Sequence, residues 1–76
     1  MGESEFDLEN IFRYHEPTPK KIAQYQAIRD GAKEFAKVLL SNSPPGSDQS
    51  EALLHIRKAV MIANAVIALD GILYKE

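Results

Sequence analysis

The sequence predicts an all-α fold: an antiparallel helical hairpin with a short N-terminal helix ahead of it. Three observations carry this. Between Ile22 and Leu39, apolar residues recur at three- and four-residue steps, the period of one helix face. The stretch SNSPPGSDQS, residues 41–50, then interrupts with two prolines, a glycine and polar side chains. A second long apolar-rich run follows it. Nowhere does the chain show the alternation of a half-buried strand, an internal repeat or a Gly-rich phosphate loop.

Each element follows from local signals. Residues 1–5 (MGESE) are polar and predict a flexible N-terminus, leaving 6–76 as a single helical-hairpin domain. Leu8, Ile11 and Phe12 fall at i, i+3 and i+4, a short amphipathic helix over Asp7 to Phe12, which Tyr14 to Pro17 breaks. Thr18 then suits an N-cap, and Pro19 suits the first helical position, where its missing N–H costs nothing. Ile22, Tyr25, Ile28, Ala32, Phe35 and Leu39 line one face of the helix that follows, expected to end near Leu40 or Ser41. Asp48, with Glu51 three residues on, predicts an N-cap for the second helix. That helix can run to about Leu69, where Asp70-Gly71 offers a stop.

Composition narrows the function classes. At 76 residues the chain makes one domain at most, and a core of that size rarely supplies more than ~3–5 kcal/mol. It has no cysteine, hence no disulfide staple, no thiolate metal site and no sign of an oxidising compartment. Two histidines, His15 and His55, are too few for an ordinary zinc centre, so no metal is expected. A net charge of −2 gives no overall attraction to DNA, RNA or an anionic membrane. Met1 to Asn10 is acidic rather than basic-then-apolar, so no signal peptide is visible and a cytoplasmic protein is expected. No Ser–His–Asp, HExxH or paired-carboxylate constellation can be assembled, so neither catalytic residues nor an enzyme are expected.

The second helix demands company. AVMIANAVIAL, residues 59–69, contains a single polar residue, Asn64. A helix apolar all round must be buried all round, and one neighbour cannot cover every side. The run is too short to span a bilayer, which takes ~20 apolar residues. Self-association is the expected solution, with Ala59, Ala63, Ala65 and Ala68 permitting close approach and Asn64 needing a hydrogen-bond partner. Docking onto a different protein is the competing one.

Charge on the first helix has two readings. Lys21, Tyr25, Arg29, Lys33 and Lys37 stand four residues apart and form one slowly drifting ridge, with Gly31 among them. Arg29 and Lys33 could meet phosphates while Tyr14, upstream, stacks on a base. Alternatively Asp30 and Glu34 could pair with the cations on a solvated face, and Tyr14 could staple the helix start. His15 could donate to a phosphate or a base edge, or satisfy local backbone groups. His55, near Arg57 and Lys58, suits an interface or an exposed surface.

FRYHEPTPKKIAQYQAIRDGAKEFAKVL, a Pro/Ser loop, and LLHIRKAVMIANAVIAL together resemble the helical hairpin of phage anti-CBASS sponges. The same hairpin occurs in anti-Thoeris sponges, which trap cyclic ADP-ribose isomers. The resemblance covers about residues 12–69 and rests on Tyr14-His15, Pro17-Thr18-Pro19, Ile28-Arg29, Ala32-Lys33, Ala59-Val60-Met61 and Ala63-Asn64-Ala65. With no added β-domain in view, the stand-alone anti-CBASS type is the closer match. The resemblance implies a symmetric homo-oligomer, a hexamer in the family, that sequesters cyclic dinucleotides and often cyclic trinucleotides without cleaving them. It needs no cofactor and no membrane, and acts in the bacterial host cytoplasm. It also implies roles: Tyr14 stacks on a base, Arg29 or Lys33 meets the phosphates, His15 and Thr18 stand at the pocket rim, and Asn64 serves packing or a second site. Ile62 stands where an aromatic residue is common in the family, and Leu69 where a basic one is, which weakens a trinucleotide site at that end. A protein–protein interaction module, a cyclic ADP-ribose sponge and a nucleic-acid-binding hairpin are the competing functions, the last disfavoured by net charge.

Overall fold

A computed structural model describes residues 5–72. It contains three helices and no strand among these residues: α1 (Leu8–Ile11), α2 (Pro19–Asn42) and α3 (Ser47–Ala68). The expected flexible segment 1–5 lies, apart from Glu5, outside the described residues.

Local chemistry sets nearly every boundary. Asp7 caps α1, its Oδ1 accepting from the Asn10 N–H at 3.1 Å. Thr18 caps α2 as expected, its Oγ1 accepting from the Lys21 N–H at 3.1 Å, with Pro19 at the first position. α2 runs slightly past its expected end because Asn42 Nδ2 donates to the Val38 carbonyl and Ser43 Oγ to that of Leu39. Of the two, the Leu39 carbonyl would otherwise be orphaned at the helix terminus. Gln49 Nε2 then donates to the Ser43 carbonyl and hydroxyl, both at 3.1 Å, closing the tight connection.

One boundary differs from expectation. The N-cap of α3 is Gly46, with no side-chain cap bond, and Asp48 sits in the first turn instead. There its carboxylate faces the positive end of the helix dipole, so an acidic residue at this place favours the helix without capping it. The stop near Asp70 is as expected. The Gly71 N–H reaches the Val66 carbonyl at 2.8 Å and the Asp70 N–H that of Ile67 at 3.2 Å, the paired bonds of a Schellman turn. Asp70 occupies its left-handed position at φ 53°.

α2 and α3 pack antiparallel along Lys21, Tyr25, Ala32, Ala36, Leu39 and Ser43 on one side, and Gln49, Ala52, Ile56, Val60, Ala63 and Ile67 on the other. These positions are only half-buried, and no described residue is fully buried. Phe35 is 60% exposed, Met61 60%, Ile62 55% and Val66 53%. The chain presents 6063 Å² to solvent, against about 4,700 Å² for a compact monomer of this mass. Two helices side by side have a seam rather than a core.

Candidate functional site

The residues expected to bind a ligand fall in two places on the hairpin. Tyr14, His15 and Thr18 lie at its open end, where α2 begins and α3 stops. His15 Nε2 stands 2.6 Å from the Asn10 carbonyl oxygen, and because a carbonyl can only accept, Nε2 carries the proton. This is the local-backbone reading of His15, and it leaves Nδ1 as the remaining ring nitrogen. Thr18 spends an acceptor lone pair on the cap and keeps its hydroxyl proton for another partner. Tyr14 is 79% exposed, so it does not staple the helix start.

The cationic ridge divides into charges used by the fold and charges left open. Lys21 turns inward: its side chain is 16% exposed, and Nζ lies 3.2 Å from both the Ala68 carbonyl oxygen and Asp70 Oδ2. It ties the first turn of α2 to the last turn of α3, where a cation also complements the negative end of the dipole. Lys37 pairs with Glu34 at 3.1 Å, an exposed i, i+3 pair of little energetic weight. Arg29 donates through Nη2 to Gln26 Oε1 at 2.7 Å, and Gln26 in turn donates to Asp30 Oδ1 at 2.8 Å. Asp30 is thus engaged by an amide rather than by the guanidinium. Lys33 has no ion pair or side-chain hydrogen bond within the described residues. Arg29 and Lys33 are the ridge cations left without a carboxylate among the described residues.

Those two cations stay apart from Tyr14 in a single hairpin. Thr18 and Arg29 are separated by roughly 16 Å of helix at 1.5 Å per residue. Tyr14 and Arg29 therefore do not stand side by side within one hairpin.

Asn64 is half-buried on α3, and its Oδ1 is shielded from solvent without a hydrogen-bond donor. An acceptor in that condition costs about 1–3 kcal/mol.

A feature the sequence hinted at only through Gly31 is an open apolar groove of about 730 Å³ between α2 and α3. Ile28, Gly31, Ala32 and Phe35 form one wall; Ala52, His55, Ile56, Ala59, Val60 and Ala63 form the other. His55 is the lone titratable side chain among these, with Nε2 3.2 Å from Glu51 Oε2 at the rim. A Cβ on Gly31 would meet nothing within 4 Å, so the glycine is not required by the fold of one hairpin. Arg29 and Phe35 stand about 120° apart round α2, and Asn64 and Ala59 about 140° apart round α3. The groove and the cations therefore occupy different faces.

No cluster of three or more His, Asp or Glu side chains suited to a metal occurs among the described residues. No described helix is long and apolar enough to cross a membrane.

Comparison with known proteins adds one match. The family described as Acb2/Tad1, hairpin domain, matches residues 7–68, from the cap of α1 to the last residue of α3. No curated protein and no solved structure matches.

Proposed function

The chain belongs to the Acb2/Tad1 hairpin-domain family, the phage anti-CBASS and anti-Thoeris sponges, and on that premise we propose that it captures CBASS messengers. It is a sponge for cyclic nucleotides by family. In this reading it holds cyclic di- and trinucleotides intact in the bacterial host cytoplasm and so keeps the defence effector from being switched on. The observation that carries it is the match over the whole hairpin, 7–68.

The geometry supports a pocket shared between copies. A homo-oligomer, a hexamer by family resemblance, would cover the groove and the exposed Met61, Ile62 and Val66, which the lone hairpin leaves in water. The groove face is apolar and uneven. It offers projections, Ile28 and Phe35, beside hollows at Gly31, Ala59 and Ala63, and no carboxylate or ammonium to desolvate. Assembly through it leaves Arg29 and Lys33 free on another face to meet phosphates, while Tyr14 of a neighbouring copy stacks on a base. His15 and Thr18 supply hydrogen-bonding groups at the rim. A cyclic dinucleotide has only two phosphates, so the overall acidity of the chain is no obstacle.

The decisive experiment incubates the purified protein with cyclic di- and trinucleotides and cyclic ADP-ribose isomers, removes unbound material, heat-denatures the complex and identifies what is released. Release of unmodified cyclic di- or trinucleotide is the expected result. Recovery of cyclic ADP-ribose isomers alone would move the target to Thoeris. Linearised products would replace sequestration by hydrolysis. A monomeric protein that captures nothing would favour the interaction-module reading.

Asn64 offers a test with a sign. Replacing an unsatisfied acceptor by an apolar group of similar size relieves a cost in the isolated hairpin. If the oligomer or a second ligand donates to Oδ1, Asn64→Leu instead weakens assembly or abolishes one class of ligand. Mass by light scattering and affinity across the panel check this; an unaltered oligomer that binds every ligand normally removes Asn64 from both roles.

A further inference from the structure

Hydrogen bonds converge on Asn10 from both ends of the chain. Its backbone N–H is capped by Asp7 Oδ1 at 3.1 Å, and its carbonyl oxygen lies 2.6 Å from His15 Nε2. Its Oδ1 accepts from Arg13 Nη2 at 3.0 Å, and its Nδ2 donates to the Ile72 carbonyl at 3.1 Å. Arg13 and His15, the two neighbours of Tyr14, are thereby clipped to one residue. That residue is in turn clipped to a point 62 positions away in sequence.

The anchor itself is well held. Ile72 donates its N–H to the Leu69 carbonyl at 2.9 Å, directly after the Schellman turn. Lys21 grips the same turn through Ala68 and Asp70. A continuous set of bonds therefore runs from the start of α2, through the end of α3, to Asn10 and on to the residues flanking Tyr14. Residues 14–18, between the end of the α1 region and α2, have no regular structure of their own, and the Tyr14 ring is 79% exposed. Something else must set where that ring stands.

We propose that Asn10 is a positioning residue for the ligand: it hangs the Tyr14–His15 segment from the C-terminal turn of α3 and so presets the stacking ring. This rests on the assignment of Tyr14 to the ligand made above. A ring already held in place loses less freedom when a base stacks on it, which is how preorganisation raises affinity without a new contact.

The test uses the full chain, with cyclic di-AMP and cyclic GMP–AMP as probes in calorimetry. Asn10→Ala and Asn10→Asp both remove the donor to Ile72, while Asp keeps the acceptor for Arg13. Each is expected to weaken the bound probe about five- to tenfold, the size of one ordered hydrogen bond, at unchanged oligomer mass. The backbone order parameter of Tyr14 should fall in both variants. A double-mutant cycle separates positioning from plain destabilisation: Asn10→Ala should add almost nothing in a Tyr14→Ala background, but its full effect in an Arg29→Ala background. Wild-type affinity in Asn10→Asp, or an undiminished loss in the Tyr14→Ala background, overturns the proposal while leaving the sponge reading intact. A Tyr14→Ala protein that binds as wild type overturns the site assignment and this inference together. Retention of neither probe by the unaltered protein removes both at their source.

Discussion

Phe35→Glu is expected to take the assembly apart and most of the helix content with it. Phe35 lines the apolar groove and is 60% exposed in the single hairpin, so in a monomer the substitution would be nearly silent. In an assembly that closes over the groove, a carboxylate would be desolvated without a counter-charge, a cost of several kcal/mol. With no fully buried residue among those described, the hairpin has little to set against that loss. Sedimentation should report a shift to the monomer, and circular dichroism a loss of helix at the same concentration. Lys20→Glu, on an exposed position of α2, is the control and should change neither. Gly31→Ala sharpens the test because its sign differs between the two states. With open space around its Cβ, alanine should favour a lone hairpin by ~1 kcal/mol. Against a neighbouring copy packed onto Gly31, the same methyl group should destabilise the oligomer. A Phe35→Glu protein that keeps its native mass and full helicity would exclude the groove as the contact face.

Tyr14→Ala and Arg29→Ala should each weaken cyclic dinucleotide binding strongly while the oligomer survives. Stacking of a base on an aromatic ring is worth ~1–3 kcal/mol, so loss of Tyr14 corresponds to about 5- to 150-fold in affinity. A guanidinium bonded to a phosphate is a charge-assisted contact of ~1.5–3 kcal/mol, giving a loss of at least tenfold for Arg29. Neither side chain holds the hairpin together: Tyr14 is 79% exposed, and the Arg29 side chain bonds only to Gln26 among the described residues. Oligomer mass should therefore stay constant. Arg29→Ala should also flatten the salt dependence of binding, because a phosphate–cation contact is screened and stacking is not. Unchanged affinity for both variants would displace the site from these residues.

The hairpin could be foreseen because its determinants act over a few residues. Thr18 and Pro19 start α2, the Pro44-Pro45-Gly46 break ends it, and Asp70-Gly71 stops α3; each needs only its own neighbours. Where foresight slipped, a competing local group decided. Asn42 and Ser43 hold the last turn of α2 through the Val38 and Leu39 carbonyls, and Gly46 displaced Asp48 from the cap. The candidate site was legible only as a set of residue types. Five ridge positions at four-residue spacing look alike along a helix, and spacing alone cannot tell a cation that serves the fold from one that is free.

The sequence by itself determined the helices and their order, since caps, breaks and apolar periodicity are properties of short segments. Only the tertiary structure decided which charges remain available. Lys21 is withdrawn into the fold by a carbonyl 47 positions away, and Asn10 is bound to a residue 62 positions away. Contacts across such separations depend on how two helix ends are brought together, and no local pattern in the chain encodes that distance.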